Sequence, residues 1–298
     1  MKRTSLIEYF ILSSFILIFS SCRDLVSDEF QEFTSVPVIN GILKTGEHIK
    51  IHISFAQKLD ANKLEFINNA IVSLYIDGKY EEDLGLSGDG LYVSSIVTQP
   101  SKKYSCMVNI PGYPVINCYD SVPEIPDILG IEHIDVAGKN KEGYTYPAIK
   151  ITFKNDPLNR QYFEIVLRLL HRDYETLASL ETITDPVLLN EGLPLLLFSN
   201  EYISETTYTM LINYFTGNLS NSGGGGMHTD LFPLIVELRS VSNSYYKFMK
   251  QKYLYELGRY PEFMSGTVKA LPLYSNVIGG YGIFSGYSVM YDTIYPVN

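Results

Sequence analysis

Two of the three cysteines, Cys106 and Cys118, are spaced so that they could react with each other. Each lies in a β-type run, and residues 111–114 between the runs have the composition of a turn. A hairpin centred on Gly112 places the two cysteines directly opposite each other, within the range of a disulfide. Two buried free thiols give the same pattern, so the sequence leaves both states open. We predict no metal site here, because no histidine is near in sequence and two thiolates do not complete a zinc tetrahedron.

The third cysteine, Cys22, follows a segment with the features of an export signal. Lys2 and Arg3 precede an apolar run at residues 9–19, which is shorter than a membrane span of about 20 residues. Two serines stand directly before Cys22, and this arrangement resembles the lipobox of bacterial lipoproteins. The resemblance implies removal of residues 1–21 and acylation of Cys22, for example with palmitate, which would hold the chain on a membrane. The alternatives are an ordinary signal peptide with an accidental cysteine and an uncleaved signal anchor.

Residues 22–34 are rich in acidic side chains and predict a solvated tether. Acidic residues directly after a lipidated cysteine are similar to the surface-export signals of Bacteroidetes lipoproteins. A charged linker that faces the periplasm is the alternative. We therefore expect a lipid-anchored protein of the outer membrane, either at its periplasmic face or on the cell surface.

The other residues whose side chains could take part in catalysis or metal binding do not form a recognisable pattern. His48 and His52 lie on one face of a strand, but ~13 Å apart, which is too far to bind one ion. Residues 171–173 resemble the start of a kinase catalytic loop, yet Ala178 stands where that loop needs asparagine. The glycines of segment 280–282 lie among β runs and predict a bend or a bulge rather than a dinucleotide site. We predict no catalytic residue, no metal and no cofactor.

Composition narrows the classes of partner and fold. The chain has 23 basic and 33 acidic residues and a net charge of -10, which disfavours nucleic acid as a partner. Its 46% hydrophobic content is enough to build a large core. The 24 tyrosines and 15 phenylalanines, with no tryptophan, favour a mostly β protein.

The first part of the mature chain, residues 35–125, predicts an immunoglobulin-like β-sandwich. Isoleucines alternate strictly with polar residues in segment 48–55, which is typical of a half-buried strand. Further short β runs follow between turn signals such as Asp77-Gly78. Six or seven strands in about 90 residues are typical of a small sandwich.

The second part, residues 126–298, predicts a β-rich domain with at least one helix. Pro123 and Pro126 mark the boundary between the two parts. The predicted helix covers residues 243–257, because Ser242 can cap its start, apolar residues recur at spacings of three and four, and Gly258 can end it.

Six short motifs occur in order along almost the whole mature chain. They are residues 38–43, 90–92, 111–113, 153–157, 236–241 and, above all, Ser275-Asn-Val-Ile-Gly-Gly-Tyr-Gly-Ile-Phe284. Together with Cys22 they resemble the DUF4249 family, outer-membrane lipoproteins of Bacteroidetes with no assigned activity. The resemblance implies an immunoglobulin-like domain followed by a second β-rich domain. It also implies an accessory role beside a TonB-dependent transporter.

These observations favour a binding or accessory module over an enzyme. Tyrosines have an apolar ring and a polar tip and suit wet interfaces, so Tyr144, Tyr146 and Tyr281 are candidate contact residues. We expect the membrane, through the lipid anchor, and an outer-membrane transporter as partners. One alternative is an envelope hydrolase whose site is assembled only in three dimensions. A structural protein of the envelope is the other.

Overall fold

Alternation of apolar and polar residues produces the strands. In segment 48–55, Ile49, Ile51 and Ile53 are fully buried, as the period of two requires.

The computed structural model describes residues 35–57, 63–171, 174–217, 219–221, 227–258 and 273–296. The predicted signal peptide and tether, residues 1–34, therefore lie outside the described residues.

Twenty strands, two α-helices and one 3-10 turn occur in the described part of the chain. They are β1 (Pro37–Lys44), β2 (His48–Phe55), β3 (Ile71–Ile76), β4 (Lys79–Asp83), β5 (Gly85–Gly88), β6 (Leu91–Val97), β7 (Lys102–Asn109), β8 (Ile116–Val122), β9 (Ile128–Lys139), β10 (Thr145–Lys154), β11 (Tyr162–Leu170), β12 (Glu175–Leu177), β13 (Ser179–Leu180), α1 (Pro186–Glu191), β14 (Leu197–Ser199), the 3-10 turn (Asn200–Tyr202), β15 (Thr207–Phe215), β16 (Leu219–Asn221), β17 (Met227–Thr229), β18 (Leu234–Val241), α2 (Asn243–Gly258), β19 (Val277–Ile278) and β20 (Tyr281–Ile294). The prediction of a mostly β chain with at least one helix is confirmed.

One nine-stranded sheet runs through both parts of the chain. Its order is β12-β11-β18-β20-β1-β2-β6-β5, and β14 also pairs with β11. The five-stranded sheet β19-β8-β7-β3-β4 shares a first hydrophobic core with β1, β2 and β6. The four-stranded sheet β13-β15-β10-β9 shares a second core with β11 and β18. Both halves are therefore sandwiches, and they have one sheet in common.

Residues 35–298 form one compact unit that contains two large hydrophobic cores. The first core draws on residues 39–122 and the second on residues 149–238. Val277 and Phe284, from the predicted second domain, are also buried in the first core. The reason is that β20, the last strand, returns to the first sandwich. A division of the chain into two consecutive segments therefore assigns these residues to the wrong core.

Strand β20 joins the two halves. Its residues 281–287 pair in parallel with β1, and its residues 287–294 pair antiparallel with β18. The strand is 14 residues long, roughly 45 Å at about 3.3 Å per residue. One strand thus supplies backbone hydrogen bonds to both sandwiches.

Two glycines at the start of β20, one just before the strand and one within it, permit this close approach. Gly282 has a φ of +117°, and a Cβ atom on it would overlap the carbonyl oxygen of Ile39. A Cβ atom on Gly280 would lie 2.8 Å from the carbonyl oxygen of Pro37. The side chain of Asn276 closes the turn, because its amide donates to the carbonyl of Phe284 at 2.6 Å and accepts from the same residue's N–H at 2.9 Å. The glycines serve a tight bend, as the sequence predicts.

Helix α2 begins where the sequence predicts. The Ser242 hydroxyl accepts from the backbone N–H of Tyr245 at 3.2 Å, as an N-cap does, and it donates to Asp120 on β8 at 2.5 Å. Tyr245 is buried and packs against Val241. The cap therefore also connects the start of α2 to the first sandwich.

A buried carboxylate fastens α2 to the end of α1. Glu191 accepts from the Lys250 ammonium at 2.6 Å, from the Tyr246 hydroxyl at 2.5 Å and from the Ser199 N–H at 2.7 Å. Burial acts to raise the pKa of Glu191, but these hydrogen bonds outweigh it and the pKa is lowered. The carboxylate is therefore ionised in the folded protein at neutral pH.

We expect Gly282→Ala to destabilise the fold by at least about 3 kcal/mol, because the added Cβ overlaps backbone in a left-handed conformation. Gly130→Ala is the matched control, since a Cβ atom at residue 130 meets no atom within 4 Å. Its effect should stay within about 0.5 kcal/mol. Denaturant unfolding measures both. Equal stability of the two variants would contradict the role assigned to Gly282.

We expect Glu191→Gln to lower the free energy of unfolding by about 1–2 kcal/mol at pH 7. The folded pKa of Glu191 is depressed, so the unfolded chain binds more protons and the contribution of Glu191 is present above the ordinary value of 4.5. It is lost as the pH falls through the folded pKa. Unfolding curves of the two proteins should converge in acid. A difference that does not depend on pH would refute the ionised assignment.

Candidate functional site

The cysteines stand as the hairpin prediction requires. Cys106 on β7 and Cys118 on β8 are directly opposed in register, and both are buried free thiols in the structure. The predicted register is thereby confirmed, and the disulfide stays a prediction. Cys22, the predicted lipid attachment residue, lies outside the described residues.

The candidate contact tyrosines are not brought together. Tyr281 is 60% exposed and pairs with Val38 beside the first core. Tyr144 and Tyr146 lie at the start of β10 in the second half, and the ring of Tyr146 covers Gly138 on β9. These residues therefore form two separate places on the surface, and their contact role stays a prediction.

One histidine, His133, belongs to a polar cluster that is largely buried. His133 Nδ1 lies 2.7 Å from Asp135, and its Nε2 lies 2.9 Å from the hydroxyl of Tyr214. Because a carboxylate only accepts, Nδ1 carries the proton in the neutral ring and Nε2 accepts from Tyr214. Burial, with the nearby charge of Asp135, raises the pKa of Tyr214. Tyr214 is fully buried and the His133 side chain is 5% exposed, whereas the Asp135 side chain is 43% exposed, so the cluster reaches the surface at its carboxylate end.

The most exposed large apolar side chain described is Leu158, at 92%. It stands in the turn between β10 and β11. Asp156 holds this turn, because its carboxylate accepts from the N–H of Leu158 at 3.0 Å and from the side chain of Asn159 at 2.6 Å. Gln161 accepts from the N–H of Asp156 at 2.8 Å. The turn is therefore an Asx-type turn with a leucine at its tip.

Two buried asparagines fix the turn to the protein. Asn200 donates to Asn155 at 3.0 Å and to the carbonyls of Asp156 and Asn159, each at 2.9 Å. Asn155 donates to the carbonyls of Ile203 and Glu205 in turn. Because each asparagine is at most 5% exposed, these hydrogen bonds are shielded from water. Leu158 is thus presented on a rigid support.

A cleft lies on each side of Leu158. The first, about 410 Å³, runs between the turn and the segment that connects the two halves, where Ile125 is 45% exposed. The second, about 640 Å³, runs between the turn and the 3-10 turn, where Tyr202 is 63% exposed. We call Leu158, Ile125, Tyr202 and these two clefts the Leu158 surface.

Carboxylates outnumber cations in the two clefts. Asp127 pairs with Lys154 at 3.5 Å in the first cleft, and Glu201 pairs with Arg160 at 2.9 Å in the second. Glu124 and Asp156 also line the first cleft, and neither forms an ion pair within the described residues. Hydrogen bonds from the Asn159 side chain and the Leu158 N–H lower the pKa of Asp156. The first cleft therefore keeps a negative charge.

The match to a family model covers residues 23–293 and is described as a domain of unknown function, DUF4249. The chain belongs to the DUF4249 family. No curated protein matches this DUF4249 chain with significant similarity. Among the described residues, no three or more His, Cys, Asp or Glu side chains are grouped so that they could hold a metal ion. Within the same residues, no helix has the length and apolar character to span a bilayer.

In this DUF4249 chain, the sequence predicts the turn of the Leu158 surface but neither the residue that anchors the turn nor the exposure of Leu158. Asn155, Asp156 and Pro157 are residue types typical of turns, so the turn is visible in the sequence. Asn200, which anchors the turn, is 45 residues from Asn155, and no spacing rule links them. The exposure of Leu158 is equally hidden, because leucine is among the residue types that are most often buried.

Proposed function

We propose that this chain is a lipid-anchored binding module of the outer membrane that acts as an accessory to a transporter, for instance a TonB-dependent one. The observation that carries the proposal is the Leu158 surface. Burying a leucine contributes about 1.5–3 kcal/mol. Leu158 is 92% exposed and its turn is held by a buried network of hydrogen bonds. A partner that covers Leu158 would therefore gain this contribution on binding.

The rigidity of the support favours binding. Ordering a flexible loop on association costs free energy, whereas the turn at Leu158 is already held by Asp156 and Asn200. An apolar centre with a polar rim is the general arrangement of a protein interface.

The start of the sequence supports the anchor. The apolar run and the serines before Cys22 resemble a lipoprotein signal. The family match begins at residue 23, directly after Cys22, so the proposed cleavage leaves the whole matched region intact. Acylation of the thiol and the new amino group of Cys22 would give stable membrane attachment.

The carboxylates of the first cleft support binding more than hydrolysis. A general acid of a hydrolase needs a raised pKa, which burial provides. Asp156 has a lowered pKa and is engaged in holding the turn. Asp127 is 55% exposed at its side chain and paired with Lys154.

We expect Cys22→Ser to abolish incorporation of labelled palmitate and to release the chain from the membrane fraction, because the thiol that receives the lipid is gone. The other two cysteines remain in this variant. Cys118→Ser is the matched control and should keep its label. Label that persists in Cys22→Ser would exclude lipidation at this residue.

We expect Leu158→Ser to lower recovery of an outer-membrane partner by about tenfold or more, because the apolar anchor of the interface is removed. The assay is purification of the full chain from solubilised membranes, with quantitative mass spectrometry of the proteins that accompany it. Leu177→Ser on β12 is the control, since Leu177 is 65% exposed away from the clefts. Equal recovery with both variants would rule out the Leu158 surface as the binding site.

A further inference from the structure

The first cleft of the Leu158 surface has an unbalanced charge. Asp127 and Lys154 neutralise each other, while Glu124 and Asp156 have no cation within the described residues. Protonation of Asp156 is unfavourable near neutral pH, because the ionised form accepts the hydrogen bonds of the turn, which lower its pKa. The apolar tip of Leu158 therefore stands beside two uncompensated carboxylates.

We propose that the Leu158 surface receives a basic segment of a partner protein, in which lysine or arginine residues flank an aliphatic or aromatic side chain. This inference rests on the proposed function and adds the chemistry of the partner. The apolar side chain would pack on Leu158, between Ile125 and Tyr202. The cations would reach Glu124 and Asp156 in the first cleft.

Charge distinguishes this occupant from three others. A second copy of the chain carries a net charge of -10 itself, so its approach is opposed. The acidic segment 22–34 of the same chain is opposed for the same reason. An anionic lipid surface would be repelled by Glu124 and Asp156. A basic protein segment alone matches both the apolar tip and the carboxylates.

The partner segment can be identified by photo-crosslinking. The full chain with Leu158→benzoylphenylalanine is produced in its native cells and irradiated, and the crosslinked peptide is sequenced by mass spectrometry. Leu177→benzoylphenylalanine is the control position. We expect an adduct at position 158 only, with a partner peptide of net positive charge that contains an aliphatic or aromatic residue.

Each other outcome decides a different point. An adduct at position 158 with a neutral or acidic partner peptide would overturn the basic segment and leave the binding function in place. An adduct with a second copy of this chain would overturn the basic segment in favour of self-association. Absence of any adduct at position 158 would overturn both the segment and the proposed function.

Binding of defined peptides tests the charge independently. Two amidated heptapeptides are used, one alternating lysine with leucine and the other alternating glutamate with leucine. We expect the full chain to bind the lysine peptide at least about tenfold more tightly, since like charges oppose the other. Binding should weaken as salt rises from about 50 to 500 mM.

Two variants assign this effect to the first cleft. Glu124→Gln should weaken binding of the lysine peptide by about two- to fivefold, the range of an exposed ion pair. Glu175→Gln, on β12 and away from the clefts, is the matched control and should leave its affinity unchanged. Equal affinity for the two peptides, or equal loss in the two variants, would show that no basic segment is selected at this cleft.

Discussion

Strand β20 hydrogen-bonds in parallel with β1, the first strand described, and antiparallel with β18. Parallel neighbours need a connection over other structure, and here the connection is almost the whole chain. The pairing is possible because Gly282 brings the backbone of β20 against Ile39 without a side chain between them. The nine-stranded sheet, and with it the fixed relation between the two sandwiches, depends on this contact.

The same constraint positions the Leu158 surface. The segment between the halves is held at one end by Ser288 of β20, whose hydroxyl donates to the carbonyl of Pro123 at 2.6 Å. It is held at the other end by the N–H of Lys154, which donates to the carbonyl of Asp127 at 3.0 Å. This wall of the first cleft is thus fixed at one end to the shared sheet and at the other end to the second sandwich. The width of the cleft follows from the join between the halves.

The sequence predicts individual strands, the hairpin and the helix start well in this chain, because each of these depends on residues that are close together in sequence. Alternation places β2, the midpoint at Gly112 sets Cys106 opposite Cys118, and Ser242 starts α2. Gly280 and Gly282 are equally visible, but the backbone that they approach, at Pro37 and Ile39, is 243 positions earlier in the chain. Sheet order is therefore not predictable from spacing.

The candidate site was hidden for a related reason. A leucine in a turn gives no sign of its exposure, which is decided by whatever packs around the turn. Here the packing comes from Asn200 in a different segment. Similarly, His133 and Asp135 share a strand face by their spacing of two, but Tyr214 joins them only through the neighbouring strands. Pairs within a strand or across a short hairpin can be predicted from their spacing, and contacts between strands that are distant in sequence cannot.

The Leu158 surface is small for a stable protein interface, since it consists of three exposed apolar side chains and two open clefts. The lipid anchor proposed at Cys22 would change what such a surface can do. Two proteins confined to one membrane meet at a high effective concentration, so a modest intrinsic affinity is sufficient for association. In the proposed function, the rigid apolar tip beside fixed carboxylates would then contribute selectivity, because a partner without a matching cation would meet the carboxylates with no compensating charge. The proposed anchor would raise the local concentration of the partner, and the Leu158 surface would select among the partners.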